Sequence, residues 1–115
     1  MSRDHLARLS RQSDATATVF AALGDSTRLS LVLALSRGNR QSIAQLTEDK
    51  ALTRQAISKH LRILENAGIV SSRHEGRENL FTLNPNALNE LRTYVEQISE
   101  QWDTSLARLK AFVEK

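Results

Sequence analysis

Apolar residues recur along this chain with two different periods, and the change from one to the other predicts its architecture. Residues 1–14 are mostly polar, with Leu6 and Leu9 three apart, and read as a flexible or helical lead-in. From Ala15 to Leu23, Val19, Phe20, Ala22 and Leu23 form a helical run that Gly24 ends in the manner of a C-cap. Asp25 supplies an N-cap for a second helix, in which Leu29, Val32, Leu33 and Leu35 are spaced as a buried stripe before Gly38. Ser42 and Gln45 make a capping box for a short helix whose apolar side is Ile43 and Leu46. Lys50, Ala51 and Leu52 form a turn, Thr53 offers the next capping oxygen, and a helix is predicted over 54–66 before Gly68. A short helix, a tight turn and a longer helix have the spacing of a helix-turn-helix.

After Gly68 the pattern shifts towards strands, through Ile69 and Val70 and again from Leu80 to Leu83, with Glu75-Gly76 at the place where a hairpin needs positive φ. This hairpin, over 69–83, is a candidate wing. Asn84 as cap and Pro85 at the first helical position open a last helix over 85–115. The predicted fold is mainly α with a small β-hairpin: a winged helix-turn-helix in the order α-α-α-α-β-β-α, filling one domain over 15–115. It is also predicted to be dimeric. Leu88, Leu91, Val95, Ile98, Trp102, Leu106, Leu109 and Phe112 keep a three-and-four spacing over about eight turns, more apolar stripe than one small core can cover. A second copy of the chain is expected over part of it, with Trp102 as anchor and the remainder packing on the first two helices.

At about 100° per residue, Ile57, Leu61 and Leu64 share the inner side of the 54–66 helix, while Gln55, Ser58, Lys59 and Arg62 lie opposite. Glutamine, hydroxyl, lysine and arginine on one outward face can pair with base edges and phosphates in a major groove. Arg54 and Gln55, in the first turn, are the candidates for base contacts, with Ser58, Lys59 and Arg62 divided between bases and phosphates. A solvated face gives the same pattern on a helix taken alone; the helix-turn-helix spacing and the Gly-tipped hairpin in the same order favour DNA. His60 lies beside the core stripe, where packing, a bond to a backbone carbonyl and a phosphate contact are all open. Arg73, His74 and Arg77 surround the hairpin turn, placed either to reach a phosphate or the minor groove or to protect an edge strand, and contact is preferred for Arg77.

Composition narrows the choice. With 115 residues, 40% of them hydrophobic, the chain is expected to build one core and one domain. It has no cysteine, which excludes disulfides, thiolate zinc sites and thiol chemistry. Neither a membrane-spanning run nor a leader pattern is seen, so a cytoplasmic address is expected. The net charge of +3 says little, but its distribution says more. Eight bases face four acids between Arg37 and Arg77, a local net of +4, whereas four bases face five acids from Pro85 onward. A polyanion is the simplest partner for that block. Three Phe, one Tyr and one Trp offer few stacking platforms, so double-stranded DNA is preferred over single strands or RNA. No phosphate loop, nucleophile motif or acid-paired histidine is present, so no enzyme and no cofactor is expected. His5, His60 and His74 lack ligand-like spacing, and Glu96 with Glu100 reads as surface, so no metal is expected either.

The stretches FAALGDSTRLSLVLAL, TRQAISKHLRILENAGIV and RHEGRENLFTLNP resemble the ArsR family of winged-helix regulators. Ser58 and His60 match the family's S-K-H-L type motif, and Asp25 and Arg28 match its D-P-T-R elbow, with Ser26 in place of the proline. The resemblance implies a homodimer joined through its first and last helices, which adds Val19 to Leu91, Val95, Ile98, Trp102 and Leu109 as interface candidates. It also implies a regulator that represses its own operon from an inverted-repeat operator. Metal-sensing members often carry a cysteine pair where this chain has Gln45 to Asp49, and ISEQWDTSLARLKAF is similar to a branch without metal ligands, often encoded beside a START-like ligand-binding protein. No small-molecule effector is named by these residues. The alternative reading is a dimeric winged-helix protein-interaction module whose DNA binding is weak or lost.

Overall fold

The computed structural model describes residues 3–38, 40–48 and 50–114, with the backbone alone for 3–6, 9 and 10. Five helices and three short strands follow one another as α1 (Arg3–Leu23), α2 (Ser26–Leu35), β1 (Gln41–Ser42), α3 (Ile43–Thr47), α4 (Arg54–Asn66), β2 (Val70–Glu75), β3 (Glu78–Leu83) and α5 (Pro85–Val113). The lead-in is therefore helical and continuous with α1; the side chains of Leu6 and Leu9 lie outside the described residues. No single described helix is long and apolar enough to cross a membrane.

The helix order agrees with the predicted one, but the hairpin is joined by a third strand. The sheet runs β1-β3-β2, antiparallel throughout, with Gln41 opposite Phe81 and Val70 opposite Leu83. Two residues are too few for an alternating pattern, and β1 exists because β3 offers it a free edge. Leu31, Leu35, Leu46, Ile57, Leu61, Leu64, Ile69, Val70, Phe81 and Ala22 form the core, drawn from α1 to α4, the α4 exit, β2 and β3 but not from α5. Phe81 faces it; Leu80, one residue out of phase, is only half-buried on the other side of the sheet.

Two expectations are corrected. In α2 the buried residues are Leu31 and Leu35, while Leu29 and Leu33 stay 52% and 61% exposed. The helix is apolar nearly all round, so periodicity could not choose its inner face. Arg28 chooses it: its side chain reaches back to the carbonyl end of α1, and residues three and seven positions further on share its side. Gly24 does follow α1, but not in a left-handed conformation. The guanidinium of Arg28 satisfies the last carbonyls instead, through Nε to Ala22 and Nη2 to Ala21.

Candidate nucleic-acid interface

α4 is defined at both ends by local chemistry. Thr53 Oγ1 accepts the Ala56 N–H at 3.1 Å, filling the role predicted for it. At the other end Gly68 (φ +79°) donates to Glu65 O at 3.0 Å and Ile69 to Leu64 O at 2.9 Å, the paired bonds of a Schellman motif. Leu64 and Ile69 are both fully buried, the apolar contact that accompanies such a motif. Before it, Ser42 and Gln45 make the full capping box at the start of α3.

Ile57, Leu61 and Leu64 are each fully buried and define the inner face of α4. On its outer side an open groove is lined by Arg54, Gln55, Ser58, Lys59 and Arg62, with Ile43 of α3 at its edge. Arg54, Gln55, Lys59 and Arg62 are exposed and Ser58 is half-buried. Ile43 was not foreseen, because only the α3–α4 angle brings it there. His60 does not join this group. Its Nδ1 lies 3.2 Å from Arg28 Nη1 and 3.8 Å from Asp25 Oδ2, in the elbow between α1 and α2. Its observed partners are thus two polar side chains and no backbone carbonyl.

The hairpin turns on Gly76 (φ +62°) and Arg77, with Glu75 opposite Glu78. Positive φ at the first loop position alone is the II′ pattern, whose twist suits the flanking strands. Arg73 and Arg77 are exposed. The hairpin is fastened at its base: Ser72 Oγ donates to Glu65 Oε2 and Ser71 Oγ to Asn84 Oδ1, both at 2.6 Å, while Asn84 Nδ2 donates to Gly68 O at 2.8 Å. An Arg40–Glu75 ion pair adds a contact near the tip. Asn84 thus makes no side-chain cap for α5, contrary to expectation, because its amide is used between the α4 exit and β2. Among the described residues Arg54, Lys59, Arg62, Arg73 and Arg77 have no ion-pair partner, so their charge faces outward unneutralised.

The interface candidates divide into two groups. Val19 and Leu91 are half-buried and line a shared cleft between α1 and α5. Val95, Ile98, Trp102 and Leu109 are exposed, and α5 contributes no buried residue at all.

Residues 25–72 match the family described as "Bacterial regulatory protein, arsR family". The HTH-type transcriptional regulator YuzN of Bacillus subtilis is 40% identical over 85 residues, covering 68% of this chain and 92% of that protein. The HTH-type transcriptional regulator Rv2034 of Mycobacterium tuberculosis is 33% identical over 88 residues, covering 76% of this chain and 81% of its own. Among solved structures, an ArsR-like transcriptional regulator from Rhodococcus sp. RHA1 superposes with a TM-score of 0.75 at 37% identity, over 87% of this chain and 93% of that one. With the capped reading helix, the fastened wing and these relatives in agreement, the chain belongs to the arsR family and is a DNA-binding winged helix-turn-helix transcriptional regulator.

Proposed function

We propose that the chain is a repressor of its own operon that binds an inverted repeat in double-stranded DNA as a homodimer, without a metal effector. The observation that carries this reading is the outer face of α4: Arg54, Lys59 and Arg62 stand beside Gln55 with no described counter-charge, while the opposite face is fully buried. Arg54 and Gln55 read base edges, Ser58, Lys59 and Arg62 share bases and phosphates, and Arg73 and Arg77 reach the backbone or the adjacent minor groove. The two α4 copies occupy successive major grooves, with half-sites one or two helical turns apart. What supports the absence of a metal effector is residue chemistry: the chain has no cysteine, and no histidine follows His74 on the last helix.

A footprint over the region upstream of the protein's own gene tests this. Two symmetric protected half-sites are expected, and a single unsymmetric patch or no protection counts against the reading and in favour of a protein-interaction module. Lys59→Ala and Arg62→Ala should weaken binding to all sequences and flatten its salt dependence, whereas Gln55→Ala should relax base preference at a cost of roughly 1 to 3 kcal/mol. Unchanged affinity and preference in Gln55→Ala would mean that the helix is docked differently.

A further inference from the structure

α4 is held by its core stripe, by the Ser72–Glu65 bond near its end and, in its middle, by polar contacts at His60. His60 lies roughly 170° around the helix from the middle of the groove-lining stripe, and its side chain is 22% exposed. A guanidinium has donors only, so the 3.2 Å contact from Arg28 Nη1 is a hydrogen bond when His60 Nδ1 is bare and the ring is neutral, with its proton on Nε2. Through its other nitrogens the same Arg28 donates to the carbonyls of Ala21 and Ala22. One side chain therefore joins the end of α1, the first turn of α2 and the middle of α4.

We infer that Arg28 and His60 are positioning residues for DNA reading: the neutral imidazole lets Arg28 hold α4 against the end of α1, and protonation of His60 exchanges that tie for one to Asp25. The inference rests on α4 being the helix that enters the groove. Among the described residues, the charged groups in contact with the imidazole are Arg28 and Asp25, both from the α1–α2 elbow; Lys59 and Arg62, its neighbours on α4, line the groove on the other side. A proton on Nδ1 turns the acceptor into a donor and sets two cations against each other. The ring is then drawn towards Asp25 Oδ2, which already accepts the Arg28 amide at 3.0 Å. The tie to Arg28, and through it to the end of α1, is thereby replaced by an ion pair to the start of α2, which holds α4 in a different position.

The test uses the full chain with His5→Gln and His74→Gln, which leaves His60 as its one histidine, and a duplex spanning the upstream region of its own gene. Affinity and salt slope are measured from about pH 8 down through the titration of the imidazole, followed by its own proton resonance. The expected result is an affinity that falls about five- to tenfold as the ring protonates. Adding His60→Asn, whose Oδ1 accepts from Arg28 but does not titrate, should keep the pH 8 affinity within about twofold and abolish the fall. His60→Ala should bind more weakly throughout with an unchanged salt slope, because no phosphate contact is removed; if it does not fold, the pH series and His60→Asn still decide. An affinity that rises on protonation, with a salt slope steeper by about one, would instead place His60 on a phosphate and overturn the inference. So would a flat profile across the titration. A parent protein that binds no duplex at any pH defeats the DNA reading of α4 itself, an outcome separate from these because in them the parent still binds.

Discussion

Asp25 combines two roles in one carboxylate. It caps α2 by accepting the Arg28 N–H, and it stands 3.8 Å from His60. The Arg28 amide is the strongest influence on it and lowers its pKa; partial burial opposes this, and the Arg28 guanidinium and His60 add to the lowering. A carboxyl depressed in the folded state contributes stability above its unfolded pKa and loses it as pH falls through the lower, folded one. Urea unfolding should therefore show a midpoint that declines below about pH 4. Asp25→Asn keeps a capping oxygen without a titrating group, so its decline should be shallower over the same range. Parallel acid limbs for the two proteins would show that the carboxylate gains nothing from this site. The cap was legible because an aspartate directly before an apolar periodic run is a local signal. The bond between Arg28 and His60 was not, since 32 residues separate the partners and periodicity within one helix carries no information about another. Asn84 shows the same limit: its position reads as a cap, yet tertiary partners take its side chain.

At the scale of elements, what was legible is what the backbone decides locally. The capping box at Ser42, the cap at Thr53 and the bounds of α4 follow from short-range hydrogen bonds, and the face of α4 follows from a polar and an apolar side clearly separated. α2 and β1 were not legible for opposite reasons, one having too much apolar surface to select a face and the other too few residues to show a pattern. The α4 exit gives the sharpest test of local control. Gly68 holds φ +79°, and a Cβ built there meets nothing within 4 Å, so an alanine is opposed by backbone strain and not by collision. Gly68→Ala should cost about 1 to 2 kcal/mol in urea unfolding, and Gly68→Asn distinctly less, because asparagine tolerates the left-handed region. The Gly68 carbonyl also accepts from Asn84, so the alanine variant should lose amide protection at the base of the hairpin before it does so in the middle of α4. Equal stability of all three proteins would show that the chain can leave α4 without the left-handed turn.

The molecule as a whole is more extended than its size requires. Its radius of gyration is 18.9 Å and its longest dimension 66 Å, where a compact chain of 115 residues has a radius near 13 Å. Its accessible surface of 8840 Å² exceeds the roughly 6300 Å² of a compact protein of this mass. Two helices contribute to the excess: the largely exposed first half of α1, and α5, 29 residues and about 43 Å long, along which Val95, Ile98, Trp102, Leu106, Leu109 and Phe112 remain exposed. That surplus, about 2500 Å² per chain, exceeds the roughly 800 Å² per partner that a standard-sized interface removes from solvent, and the exposed apolar stripe is why α5 fits the role of a seam with a second copy. A seam on α5 would be separable from the reading domain, since the core takes no buried residue from α5. Trp102→Ala should therefore raise the dimer dissociation constant by roughly tenfold or more in sedimentation, while the unfolding of the winged domain, followed at a concentration where both proteins are monomeric, stays nearly unchanged. The same variant should bind an isolated half-site as the parent does and lose affinity for the full inverted repeat, because only the linkage between two reading helices has been weakened. A Trp102→Ala protein that stays fully dimeric would move the seam to another apolar face, of which Leu29 and Leu33 on α2 are the most exposed outside α5.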